Sequence, residues 1–249
     1  LGRPLRGLTL TTGALALWAA PVRAQCPCPE ENQGWAGNVS VGIALTSGNA
    51  DTKTYNLSGK ASSDQKKRNV LKLDGLYLRT STEDEVTVSR TAAGVRDEYR
   101  LGERSYTFGD LRYLRDRFKE IDYLVSTLVG AGYRLLDGER AKLSVDAAVG
   151  GAFERLEDQA ATTSGAYQLG QALDWKVTKT TTLAESAKGL WKMEDASDAI
   201  YRFEISLSTS ISEHLEMKLA FADDYKNKPA AVGVEKNDTT FLAAVAYRF

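Results

Sequence analysis

From Trp35 to Phe249 the chain repeats one pattern, short segments in which apolar and polar residues alternate. At period two, successive side chains point to opposite faces of a strand, so each segment predicts a strand with two different surroundings. The first sets Trp35, Gly37, Val39, Val41, Ile43 and Leu45 against Asn38, Ser40, Gly42 and Thr46, then turns at Ser47-Gly48-Asn49. Tyr55 and Leu57 oppose Asn56, Ser58 and Lys60, and Leu71, Leu73 and Tyr77 oppose Lys72 and Asp74. A fourth segment runs from Val86 to Leu101, a sixth from Tyr123 to Tyr133, a seventh from Leu143 to Phe153 and an eighth from Tyr167 to Trp175. Tyr201 to Ser208 and Leu215 to Phe221 alternate as cleanly as the last segment, where Phe241, Ala243, Val245, Tyr247 and Phe249 share one face. Two segments alternate badly. Ser105 to Phe118 carries Asp110 and Arg112 on the parity of Tyr106, Phe108 and Leu114, where a β-bulge is expected to reset the register. Leu183 to Met193 has Glu185 on its apolar parity, which leaves its register open.

These segments predict an all-β fold of about twelve strands, each roughly the 9–11 residues a tilted strand needs to cross a bilayer. The connections sort by parity. Gly102-Glu103-Arg104, Asp137-Gly138, Val177-Thr178-Lys179 and Ser212-Glu213 are tight, whereas Ser81 to Glu85, Glu154 to Thr163 and Lys226 to Lys236 are longer. Short periplasmic turns and longer outer loops produce that asymmetry in a transmembrane antiparallel up-and-down β-barrel, and a soluble sandwich has no reason to. In hydrocarbon an unpaired backbone amide costs several kcal/mol, so a spanning sheet must close on itself. The aromatic run ending at Phe249 resembles the closing strand of Gram-negative outer-membrane barrels, which the barrel-assembly machinery reads. That machinery, outer-membrane lipid and lipopolysaccharide are the partners expected.

Residues 1–24 have the plan of a secretory signal: Arg3 and Arg6, an apolar stretch from Leu8 to Ala20, and Val22-Arg23-Ala24 as a small-residue cleavage site. Residues 25–34 are expected as a flexible periplasmic leader and 35–249 as the barrel. Cys26 and Cys28, with one residue between them, are poorly spaced for a mutual disulfide. Loss of residues 1–24 would remove three arginines and no acid, moving the formal charge of −1 to −4 and arguing against nucleic-acid binding.

Ser47-Gly48-Asn49-Ala50-Asp51-Thr52, Glu98 to Arg104 leading into Tyr113-Leu114-Arg115-Asp116-Arg117-Phe118, and Gly130-Ala131-Gly132-Tyr133-Arg134-Leu135-Leu136 together resemble the YdiY-like family, described as salt-induced outer-membrane proteins and catalogued as a domain of unknown function. The resemblance implies a barrel in the outer membrane and a link to salt stress. It brings no catalytic or ligand residues.

The candidate chemistry lies on the polar parity. Lys60, Lys72, Asp74, Arg134, Lys142, Asp146, Arg202, Glu204, Glu216, Lys218 and Arg248 would line a lumen, with both signs in similar number. Paired across a narrow interior they would plug the barrel. Along a water path they would make a narrow small-solute or ion channel. Acidic clusters at Glu83-Asp84-Glu85, Glu157-Asp158 and Glu194-Asp195 with Asp198 fall in expected outer loops. A non-conducting barrel whose loops bind a partner is therefore the alternative. His214, the one histidine, falls beside a tight turn with only Ser212 and Glu213 near it, so no enzyme, metal or cofactor is expected. Gly130-Ala131-Gly132 lies inside a strand, where glycine lets neighbouring side chains approach closely.

Overall fold

The computed structural model describes residues 34–47, 52–63, 68–82, 85–229 and 234–249, so the expected secretory signal 1–24 and residues 25–33 of the expected leader with Cys26 and Cys28, as well as Glu83 and Asp84, lie outside the described residues. In chain order the strands are β1 (Ala36–Ser47), β2 (Thr52–Ser62), β3 (Asn69–Thr82), β4 (Glu85–Arg100), β5 (Ser105–Asp116), β6 (Ile121–Asp137), β7 (Ala141–Leu156), β8 (Thr162–Lys176), β9 (Thr181–Lys192), β10 (Ala199–Ser210), β11 (Leu215–Lys226) and β12 (Asn237–Arg248). Each pairs antiparallel with its neighbours in sequence. β12 pairs with β1 from Asn38↔Arg248 to Ser47↔Thr239, which closes a twelve-stranded barrel with no free edge.

The tight turns at 101–104, 138–140, 177–180 and 211–214 gather at one end, here the proximal end, together with Ala36 and Arg248. The opposite end is distal. The long loops expected at Ser81 to Glu85 and Glu154 to Thr163 are shortened by strand, because β3, β4, β7 and β8 run on to Thr82, Glu85, Leu156 and Thr162. Strands of 11 to 17 residues replace the shorter ones expected. Glu154 shows why. It is an inward-facing, buried member of the ladder rather than a loop carboxylate.

Parity sets the two surfaces. Along most of each strand odd positions point outward and are mainly apolar, even positions inward: Val129 is 63% exposed and the adjacent Leu128 1%. Along the wall at the distal end, Tyr167 stacks on Trp191 and Trp191 donates its indole N–H to Tyr201 at 3.0 Å.

β5 needs no bulge at Asp110. Its ladders with β4 and β6 run unbroken from Tyr106 to Leu114, so Tyr106 and Phe108 point inward with Asp110 and Arg112, and the irregularity expected in this segment falls later, as a register shift against β6 between Leu114 and Asp116. Their aromatic character misleads because they face not the apolar wall but Gly130 and Gly132 across β6. A Cβ on Gly130 would come within 2.6 Å of Phe108 Cζ, and one on Gly132 would overlap the Tyr106 ring. Gly132→Ala is accordingly expected to destabilise the barrel by about 1–3 kcal/mol, as overpacking does, and in a Tyr106→Ala background, where the ring is gone, the same change should cost much less. Thermal unfolding in detergent micelles measures both; a Gly132→Ala protein as stable as the parent would refute the close fit.

Glu185 keeps its outward parity, since the β8–β9 ladder runs without a shift from Ala166↔Lys192 to Lys176↔Thr182. The Gln171 amide donates to its carboxylate at 2.6 Å, so the two polar residues on this apolar wall satisfy each other. Register does shift between Arg134 and Leu136, which turns Leu136 outward and sets Asp137 opposite Lys142.

Candidate functional site

Charged side chains that pair across the barrel fill its interior. At the distal end Arg90 of β4 donates to Asp224 of β11 at 2.7 Å, although β3, β2, β1 and β12 stand between them on the shorter way round the wall. Arg202 reaches the same carboxylate at 2.7 Å, and Asp116 lies 3.4 Å from Arg90. Glu154 of β7 binds Lys226 of β11 and, at 2.5 Å, Lys192, which also holds Asp198 at 2.6 Å. Lys119, in the 3-10 turn Arg117–Lys119 after β5, closes the belt on Asp238 at 2.9 Å. Lys226 at 1% exposure and Asp116 and Glu154 at 2% leave no room for water beside them. Charges taken out of water this far persist only when each is partnered, and here each is.

A second belt lies deeper. Arg96 donates to Glu98 at 2.9 Å and to Asp146 at 2.8 Å, stands 3.7 Å from Asp110, and lays its guanidinium 3.6 Å above the Phe108 ring. The aromatic face adds attraction to that cation. Arg112 bridges Asp110 at 2.9 Å and Asp74 at 3.3 Å. Lys188 of β9 interacts electrostatically with Arg112, Asp110, Arg96 and Asp146.

All eleven residues expected to line a lumen occupy even, inward positions. The belts take Asp74, Asp146 and Arg202, and Glu204 stands 3.4 Å from Arg202 and 3.7 Å from Lys218. The remaining seven, Lys60, Lys72, Arg134, Lys142, Glu216, Lys218 and Arg248, lie within four residues of a proximal strand end. Lys72 pairs with Glu98 at 2.8 Å and Arg248 with Glu216 at 3.0 Å.

Of the acidic residues expected in loops, Glu194, Asp195 and Asp198 are each engaged. Glu194 accepts from the backbone N–H of Gly165 at 2.9 Å, which holds its carboxyl below the usual range. Lys228 and Ser197 bind Asp195 and pull it down to about 2. Asp198 serves Lys192. Glu157 and Asp158 are exposed at the turn after β7, where Asp158 adopts a positive φ of 58°. Glu85 begins β4, so it does not sit in a long acidic loop with Glu83 and Asp84. His214 stacks on Tyr247 and places Nδ1 3.2 Å from the Arg248 carbonyl, while the Ser212 hydroxyl accepts from the N–H of Leu215.

Sequence reasoning passed over Arg90, Arg96, Glu98, Asp110, Arg112, Asp116, Glu154, Asp224 and Lys226, the core of both belts. The signal was present. Arg90, Arg96, Glu98 and Arg100 share one parity in β4, and in β5 the charges at Asp110 and Arg112 were themselves the inward face.

The sequence profile of a family described as protein of unknown function, DUF481, matches residues 39–249. The uncharacterized protein YdiY of Escherichia coli (strain K12) is 25% identical over 215 residues, covering 85% of this chain and 82% of that one. Among solved structures, the NanC porin superposes with a TM-score of 0.57 at 9% identity, over 85% of this chain and 100% of that one. The KdgM porin gives 0.50 at 8% identity, over 85% and 99%.

Proposed function

The chain belongs to the DUF481 family of proteins of unknown function, and we propose that it works as a narrow channel-type barrel in the outer membrane, passing ions and small solutes and holding back larger ones. The porin-like fold and the apolar outer wall support residence in a membrane, where a face so rich in exposed apolar side chains finds its solvent. The expected secretory signal, residues 1–24, would deliver the chain there, the assembly machinery would insert it, and control of envelope permeability under salt stress is the setting we infer. One observation carries the narrowness: ion pairs such as Arg90–Asp224 reach across the interior and leave no wide bore between them. Hydrolysis of lipid has no support, because His214 and Ser212 are engaged with backbone of the proximal turn and β12.

Purified protein in a planar bilayer tests this. Small conductance steps are expected, and Arg90→Gln with Asp224→Asn should enlarge them by removing the distal tie together with one charge of each sign. Absence of steps in several salts would sink the channel. A non-conducting structural barrel is the second reading, favoured by the near-complete burial of Lys226, Asp116 and Glu154, and it would then stand.

A further inference from the structure

The interior is not evenly charged along its length. Within four residues of the proximal strand ends, the inward positions hold eight cations, the six lysines and arginines located above plus Arg100 and Lys176, against four carboxylates, Glu98, Asp137, Asp174 and Glu216. The rest of the inner face is nearly balanced, because its arginines and lysines are consumed by the two belts. The excess sits where pairing is poorest. Lys60, Arg100, Lys142 and Lys176 make no ion pair among the described residues, and Arg134 meets Asp137 only at 3.7 Å. Lys218 shares Glu204 at 3.7 Å, and Lys60 interacts electrostatically with both of them from the far side of β1 and β12. Two lysines thus converge on one carboxylate that Arg202 already contacts. Lys60 and Lys142 are exposed, so water and solutes reach them.

A soluble protein carries spare lysines on its surface without consequence. Here they stand in a ring, pointing inward, on a chain whose overall charge is −1. A concave opening lined by one sign of charge, with low-dielectric walls, raises the local concentration of the opposite ion by about tenfold or more.

We propose that the proximal mouth is an anion-binding vestibule for small multivalent oxyanions, phosphate or carboxylate in chemistry, with Lys60 and Lys218 as principal contacts. The inference deepens the channel reading, since it names the charge class the barrel admits. The vestibule nevertheless stands on charge placement alone and does not require conduction.

Two measurements separate the claims. In zwitterionic detergent without lipid, titration with inorganic phosphate and with citrate, followed by calorimetry, should give saturable binding that weakens with added salt. Lys60→Gln with Lys218→Gln should weaken it about tenfold, by the same focusing argument, while Lys60→Arg with Lys218→Arg retains it. Lys228→Gln, in a distal loop, should leave it unchanged. In a planar bilayer under a potassium chloride gradient, the reversal potential should show anion preference, lost in a Lys60→Gln, Arg100→Gln, Lys142→Gln, Lys176→Gln protein. These four have no ion-pair partner among the described residues to strand, so the variant is expected to fold and to show the heat-dependent gel shift of the parent. Binding without conductance upholds the vestibule and overturns the channel. Conductance with neither binding nor anion preference does the reverse. Binding that appears only when anionic lipid is withheld and fails in lipid bilayers would assign the ring to headgroups and overturn the solute site.

Discussion

Arg96→Met is expected to lower the stability of the folded barrel by about 3–5 kcal/mol, the cost of stripping a buried charge cluster of its counter-ion. Arg96 is 8% exposed and stands among Glu98, Asp110 and Asp146, which are themselves shielded from water. Without the guanidinium, Lys72 remains on Glu98 and Arg112 on Asp110, but no other ion pair reaches Asp146 among the described residues. The ring of Phe108 also loses its cation. Arg96→Lys should recover only part of the loss, since an ammonium is a point charge and cannot reproduce a planar fork that serves Glu98 and Asp146 at once. Denaturant midpoints in detergent distinguish the two. If methionine were tolerated as well as arginine, the middle belt would not be an electrostatic unit. The same change should tilt a conducting barrel towards cations, because three carboxylates would then face the path with less compensation.

The strands were legible and the belts were not, for a physical reason. Alternation is a local property, and a wall with hydrocarbon-like residues outside and charges inside writes it into every segment. All twelve strands, including the poorly alternating β5 and β9, could therefore be placed, and the inward parity of Lys60 or Arg202 followed. Pairing across the interior is set by closure and stagger, which no short segment contains. Nothing near Arg90 in the chain points to Asp224, 134 residues on. The expectation that apolar means outward also failed where the interior needed bulk. Tyr106 and Phe108 fill space that Gly130 and Gly132 leave free, so the glycines and the aromatics are one packing decision divided between β5 and β6. Glu185 misled in the opposite sense: a carboxylate on the wall is tolerable when Gln171 stands beside it. Loop length was misjudged for a related reason, because charges such as Glu154 read as loop when their partner on another strand is out of view.

Glu154→Leu should have an effect of similar size at the distal belt. Its carboxylate is the counter-ion of Lys226, the most buried lysine, and of Lys192, which has Asp198 in reserve. Removing it strands an ammonium at 1% exposure, so a loss of about 3–5 kcal/mol is expected. Lys226→Met alone should cost less, because Glu154 retains Lys192. The informative chain carries both changes. Replacing a buried ion pair by apolar side chains of similar volume is often neutral, and Glu154→Leu with Lys226→Met should lie within about 1 kcal/mol of the parent. The coupling between the two sites, read from a double-mutant cycle on denaturant midpoints, should then be at least about 2 kcal/mol. Additive losses would mean that Lys226 and Glu154 do not depend on each other, and the distal belt would have to be held shut by something other than its ion pairs. A paired replacement that keeps stability yet enlarges the conductance steps would separate the two roles of this belt, since the apolar pair preserves packing while removing the charges that permeating ions must pass.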